Sequence, residues 1–222
     1  MVWQVIVIAL VAYLIGSISP SIIIGHLLKK GDIRTQGSGN AGTTNTLRVL
    51  GKGPAAIVLI IDVLKAVVAV FLGSWIGSLG SYTPEQFLAL HDYALMASSL
   101  GVILGHNFPI YFGFKGGKGV ATSLGVLLVI EWKIGLICLA FALLLIILSR
   151  MVSLGSITTA ILYPVLVAVI GTAFNNKWLY LGFAIVLGAM VLIRHRANIK
   201  RLLSGTENKL WETKSEKKSK LN

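Results

Sequence analysis

Five long apolar runs, over residues 2–28, 54–76, 87–110, 120–148 and 153–193, constrain this chain more than any other feature. A helix needs about 20 mainly apolar residues to cross a bilayer, where only helices and closed barrels satisfy their own backbone hydrogen bonds. With 55% of its 222 residues apolar and 13% charged, the chain reads as an integral membrane protein and not as a soluble domain. The first run begins at Val2 and the first cation is Lys29, so the charged front of a cleaved signal peptide is missing. That run is expected to stay as a transmembrane helix. The lone Cys138 lies inside an apolar run, which leaves no intrachain disulfide and no cysteine-based metal site.

Two of the runs are too long for one crossing. Residues 120–148 are interrupted by Glu131, Trp132 and Lys133, a cluster that suits an interfacial turn better than the costly burial of two charges. Residues 153–193 break similarly at Asn175, Asn176, Lys177 and Trp178. Seven spans result, and loop charge tests that number separately. The loops 29–53, 111–119 and 149–152 then share one side with the segment after Ile193, and together hold 17 of the 20 lysines and arginines. The opposite side holds Lys133 and Lys177, and Lys65 lies within a span. Because cytoplasmic loops collect cations, the expectation is an all-α polytopic protein with seven transmembrane helices, amino terminus outside and carboxyl terminus cytoplasmic. Merging the fourth and fifth spans would instead send Arg150 and the basic tail to opposite sides. The net charge of +12 is thus a topology signal, and nucleic-acid binding is set aside.

Residues 1–208 read as one membrane domain with motif loops at 37–48, 105–119 and 194–207. Residues 209–222, rich in Lys, Glu and Ser, read as a disordered cytoplasmic tail that can lie on anionic headgroups. No repeat of 20–50 residues is evident and seven spans do not halve, which disfavours an inverted-repeat transporter.

The first motif loop, GSGNAGTTN, interleaves Gly37, Gly39 and Gly42 with Ser38, Asn40, Thr43, Thr44 and Asn45, and Arg48 follows at what should be the start of a helix. Glycines let backbone N–H groups converge, hydroxyls and amides add donors, and a cation completes a phosphate site. Alone, the segment reads more readily as an ordinary flexible loop, and its place beside two more basic motifs shifts the reading toward a phosphate site. The second loop, GHNFPIYFGFKGGKG, places Lys115, Gly116, Gly117, Lys118 and Gly119 before a helix. It superficially resembles a nucleotide P-loop. Phe112, however, stands where the first glycine is required, and Gly119 follows the lysine where Ser or Thr should bind magnesium, so ATP hydrolysis is not expected. Such a turn can still hold another phosphate, or its lysines can simply mark the membrane edge.

The third motif, RHRANIKRLLSGTE, puts His195 and Asn198 on one helical face among Arg194, Arg196, Lys200 and Arg201. His195 is the best-placed proton carrier, since a histidine titrates near working pH. A polybasic lipid contact is the alternative. Within the second span Asp62 and Lys65 stand at i and i+3 and are expected to pair in a structural role. Ser153 and Ser156 open the sixth span as ligand donors or caps, and His106 and Asn107 end the third; His26 and His91 read as incidental.

These three motifs, in this order between hydrophobic spans, closely resemble the bacterial acyl-phosphate-dependent glycerol-3-phosphate acyltransferases, the PlsY family, over roughly residues 12–209. The resemblance implies transfer of a fatty acyl group from acyl phosphate to the 1-hydroxyl of sn-glycerol 3-phosphate, giving lysophosphatidate and phosphate, the first step of phospholipid biosynthesis. It implies catalytic contacts from Ser38, Asn40, Arg48, Lys118, His195 and Asn198. Thr44, Lys115, Gly116, Gly117 and Gly119 are implied to bind substrate, the second motif being associated with glycerol 3-phosphate. Ser156 is implied to line the phosphate site, and Glu207 to be structural. The implied setting is the bacterial cell membrane, with the site on the cytoplasmic face, membrane lipids around it and functional coupling to the enzyme that makes acyl phosphate. No nucleotide, metal or organic cofactor is implied. The reading from a different class is an anion or phosphate-ester transporter using the same basic loops as its entrance. A structural protein that merely binds anionic lipid is the third.

Overall fold

The structure is a computed structural model that describes residues 2–28 and 30–211; the remainder of the expected tail, 212–222, lies outside the described residues. Among the described residues all regular structure is helical. The helices are α1 (Val2–Gly16), α2 (Pro20–Leu27), α3 (Thr43–Leu50), α4 (Lys52–Ser78), α5 (Pro84–Asn107), α6 (Val120–Ile130), α7 (Trp132–Ser149), α8 (Val152–Ile170), α9 (Lys177–Arg194) and α10 (Arg196–Leu203). Thr83 and Gln86 form a capping box ahead of Pro84, which starts α5, and the Asn176 side chain accepts from Trp178 N and Leu179 N to start α9.

The first apolar run is one continuous span in sequence but two helices in the structure. Pro20 lacks an N–H and its ring clashes with the carbonyl one turn earlier, so the chain opens over Ser17–Ser19. A carbonyl freed by that break, Ile18 O, accepts from Lys65 Nζ at 2.7 Å. Small residues let α1 lie close along α5; a Cβ added at Gly101 would stand 2.6 Å from Ala9 O.

Six helical segments are long and apolar enough to cross a membrane: Val2–Leu27, Lys52–Ser78, Pro84–Phe112, Trp132–Ser149, Val152–Ile170 and Lys177–Arg194. The fourth of the seven expected spans falls short. α6 has 11 residues, about 16 Å of helix against the ~30 Å of a hydrocarbon core. Its start is set back because residues 113–119 form a glycine-rich turn, and it stops at Glu131, whose carboxylate accepts from Thr172 N at 2.9 Å, Thr172 Oγ1 at 2.8 Å and Ala173 N at 3.0 Å. Both interruptions expected in the long runs are present, at Glu131 between α6 and α7 and over 171–176 between α8 and α9.

Successive segments alternate in direction, so the three motif loops meet at one end of the bundle, here the motif end. The core joins α1, α4, α5, α6, α7, α8 and α9, with Phe174 stacked on Tyr180 at 4.7 Å. The far end carries the α4–α5 connection, the start of α1 and the 171–176 loop, where Gln4 Nε2 donates to Leu79 O at 2.8 Å.

Candidate active site

In the first motif the organising residue is Asn45, whose buried amide accepts from Ser38 N at 2.7 Å and Ser38 Oγ at 3.2 Å while donating to Ile33 O at 2.9 Å and Gln36 O at 3.0 Å. Gly37 has a φ of +59°, and a side chain there would overlap the Asn45 amide. Arg48 lies in the last turn of α3 and not at a helix start, because α3 already begins at Thr43.

The second motif hangs from the end of α5. Gly116 N donates to Asn107 O at 3.2 Å and Gly117 N to His106 O at 3.0 Å. On the other side Arg194 clamps the same turn, with Nε 3.1 Å and an Nη 2.8 Å from Gly117 O. Arg34 bonds Phe112 O at 2.6 Å and Lys115 O at 2.9 Å, and its guanidinium beside Asp32 holds that carboxyl below the usual carboxylate range. Gly119, with φ at +81°, then turns the chain into α6 and leaves Lys118 pointing at α10.

Lys118 Nζ donates to Asn198 Oδ1, and this fixes the rest of the amide. Asn198 Nδ2 donates to Glu207 Oε1 at 2.7 Å, which also accepts from Ser153 Oγ at 2.8 Å, while Arg201 Nε meets Glu207 Oε2 at 2.8 Å. Burial alone would raise the Glu207 carboxyl, but the bonds from Ser153, Asn198 and Arg201 outweigh it and hold it below its ordinary value. For Lys118 burial dominates. With Arg201, Arg48 and Arg194 pushing the same way and Glu207 opposing, the ammonium drops to about 8.

His195 sits at the junction of α9 and α10 and is 3% exposed. Its Nδ1 lies 2.8 Å from Val191 O. A carbonyl only accepts, so Nδ1 carries the proton and Nε2 keeps a free lone pair. Burial, then the Lys118 charge, push its pKa down to about 4, so the ring is neutral at working pH.

A cavity of about 460 Å³ opens at the motif end. Ser38, Asn40, Thr44, Arg48, Lys118, Gly119, Ser156, His195, Asn198 and Glu207 line it, with Asp62 and His106 on a deeper wall. Beyond this polar mouth the walls turn apolar, with Leu127, Leu139, Leu143, Ile146, Ala160, Tyr163 and Leu187 drawn from α6 to α9. Thr43 Oγ1, Ser123 Oγ and Thr159 Oγ1, also in the lining, are buried without a hydrogen-bond partner. Among the described residues no group of three or more His, Cys, Asp or Glu is placed to hold a metal ion.

Most of the expected site residues therefore share one cavity. Lys115 and Gly116 line a separate depression with Arg34 and Arg194, meeting the main site only at Asn40, and Gly117 lies behind the wall. Glu207, expected to be structural, is in the lining and accepts from Ser153 and Asn198. Asp62 and Lys65 pair at 2.8 Å, and His106 joins them with Nδ1 3.0 Å from Lys65 Nζ and 3.2 Å from Asp62 Oδ1. Sequence offered no sign of that third partner, 44 positions from Asp62, nor of the roles of Asn45 and Arg194.

The comparisons with known proteins converge. The family model described as glycerol-3-phosphate acyltransferase matches residues 6–205. A glycerol-3-phosphate acyltransferase of Halalkalibacterium halodurans is 45% identical over 203 residues, covering 91% of this chain and 94% of its own. One from Thermoanaerobacter pseudethanolicus is 42% identical over 205 residues, covering 92% and 94%. Crystal structures of PlsY, an integral membrane glycerol 3-phosphate acyltransferase, match with TM-scores of 0.79 for its glycerol 3-phosphate form and 0.77 for its lysophosphatidic acid form. Identity there is 36% and 35%, over 92% of this chain and 94% of that one. A multi-pass helical bundle, a basic hydroxyl-rich cavity and these matches together place the chain in the glycerol-3-phosphate acyltransferase family of integral membrane acyltransferases.

Proposed function

We propose that the chain transfers a fatty acyl group from acyl phosphate to the 1-hydroxyl of glycerol 3-phosphate, releasing lysophosphatidate and inorganic phosphate. One observation carries this reading: cationic and hydroxyl groups from all three motifs line the mouth of a cavity whose depth is apolar. Two phosphates need the mouth and one hydrocarbon chain needs the slot. Extracting a 16-carbon chain from lipid costs on the order of 12 kcal/mol, at ~0.8 per CH2, which favours an enzyme that leaves the tail in an apolar environment.

Acyl phosphate is an activated mixed anhydride. The glycerol hydroxyl attacks the carbonyl carbon, the bond from that carbon to the bridging oxygen breaks, and phosphate leaves with the electron pair. Orientation and charge stabilisation then suffice, without a covalent nucleophile. Lys118 and Arg48 neutralise the departing phosphate and the carbonyl oxyanion, with Asn40, Thr44 and Asn198 as neutral donors; Ser38 and Ser156 join them by turning their hydroxyl protons away from Asn45 Oδ1 and Val152 O. The hydroxyl proton goes either to His195 Nε2 or to a phosphate oxygen of the donor. A histidine held near 4 is a weak base at neutral pH, whereas the donor's phosphate oxygens gain basicity as the bridging bond breaks and inorganic phosphate leaves, so the substrate-assisted route is favoured. If His195→Gln keeps near-normal turnover, an obligatory histidine base is ruled out.

We further propose that the motif end faces the cytoplasm of a bacterial cell membrane and that the short α6 completes a seven-pass topology. The alternating helix directions and the crowding of lysine and arginine at that end support this. No nucleotide or metal enters the scheme. The test is purified protein in bilayers, given palmitoyl phosphate and labelled glycerol 3-phosphate without acyl-CoA or acyl carrier protein. Label entering lysophosphatidate with equimolar phosphate supports the reaction. Uptake of glycerol 3-phosphate into vesicles with no acyl transfer would replace it with a transporter.

A further inference from the structure

Three charged or titratable side chains are buried together at the deeper wall of the cavity, Asp62 and His106 in its lining and Lys65 behind them: Asp62 is 1% exposed, Lys65 6% and His106 7%. The Lys65 ammonium hydrogen-bonds Ile18 O at 2.7 Å and His106 Nδ1 at 3.0 Å, and forms an ion pair with Asp62 Oδ1 at 2.8 Å. Nδ1 faces that donor, while Asp62 Oδ1 at 3.2 Å makes no hydrogen bond with it, so Nδ1 is the acceptor and the ring proton stays on Nε2. Nε2 faces Gly117 so closely that a Cβ added there would overlap it.

Gly117 is consequently held from three directions. Its N–H bonds His106 O at 3.0 Å, its carbonyl accepts from Arg194 at 2.8 Å, and its open face rests on the His106 ring. The next residue is Lys118. Moving the ring moves Gly117, and moving Gly117 moves the Lys118 ammonium relative to Asn198.

We propose that Asp62, Lys65 and His106 form a positioning network for acyl transfer, in which Lys65 locks the His106 ring against Gly117 and so sets where Lys118 stands. The network also ties the break between α1 and α2 to the second motif, through Ile18 O and Lys65. This rests on the reading of Lys118 as a substrate-contacting group in the proposed reaction.

The test is a double-mutant cycle in turnover with palmitoyl phosphate and glycerol 3-phosphate. Lys65→Met removes the ammonium and keeps the chain length. Since it leaves Asp62 buried without its cation, the paired variant Asp62→Asn with Lys65→Met is made beside it, so that no uncompensated charge threatens folding. Misplacement on the scale of an ångström costs about 100-fold in kcat. We expect the paired variant to melt as a folded protein, lose about that factor in kcat with little change in KM, and lose less than about threefold when Lys118 is already Ala. Nitrogen NMR of His106 supplies a readout that mere packing would not move: Nδ1 should show an unprotonated shift in the native protein and lose it in Lys65→Met. Equal losses with and without Lys118, or a folded paired variant with native kcat, would overturn the positioning role. Full activity of Lys118→Ala alone would instead overturn the reading of the site on which it rests.

Discussion

The two ends of the bundle use polar residues in opposite ways. At the far end Glu131 and Asp92, on α6/α7 and α5, each accept N–H groups from the 171–176 loop: Glu131 from Thr172 and Ala173, Asp92 from Asn175 at 3.2 Å and Asn176 at 3.2 Å. Donors and acceptors there complete one another, and the result is a fastened loop. At the motif end acceptors are scarce. Glu207 satisfies Ser153, Asn198 and Arg201, yet Arg48 faces the cavity and Thr43, Ser123 and Thr159 keep unpartnered hydroxyls in the same lining. Buried donors left open cost about 1–3 kcal/mol each unless something else takes them up. The contrast teaches that the far-end carboxylates are spent on holding a loop, whereas the cavity's cation and open hydroxyls are free to meet an anionic ligand.

The sharpest way to break that contrast is Lys118→Ala. We expect kcat/KM in the acyl phosphate assay to fall about 100- to 1000-fold, the cost of removing one preorganised donor, with the melting temperature nearly unchanged. A smaller effect follows from pH. Lys118 at about 8 is charged below that value and neutral above it, so kcat/KM should decline as pH rises through 8, about tenfold per unit well above it. Lys118→Arg should move that limb upward, whereas His195 at about 4 contributes no limb between pH 6 and 8. At the far end the direction reverses. Glu131→Gln should cost roughly 1–3 kcal/mol of stability, read as a lower melting temperature in detergent, with turnover within about twofold. Smallest is Thr159→Val, which removes an unpartnered hydroxyl and should leave stability equal or up to ~1 kcal/mol higher; a clear loss of stability would show that the hydroxyl has a partner.

Much of this was legible in sequence, because apolar runs and their interruptions report directly on a solvent that tolerates no open backbone. The breaks at Glu131 and at Asn175–Asn176 were visible as polar clusters, and the convergence of three motifs followed from counting spans. Four features escape a reading of the sequence. Pro20 breaks the first span, but its signal is diluted within a run that otherwise meets the length requirement. α6 is half a span because only residues 120–130 separate the glycine turn from Glu131, and the balance of loop charge, not length, makes it count as a crossing. His106 completes the Asp62–Lys65 pair only through packing of α4 against α5, and Glu207 enters the site because α10 folds back onto Ser153. Sequence separation hides such partners, since nothing local requires them.

The most direct test of the central claim is to measure transfer from palmitoyl phosphate to glycerol 3-phosphate by Lys118→Ala and Glu131→Gln side by side, each also melted. The expected result is a folded but nearly inactive Lys118→Ala and an active, less stable Glu131→Gln. An active Lys118→Ala beside a folded, inactive Glu131→Gln would place the chemistry at the wrong end of the molecule and contradict the account.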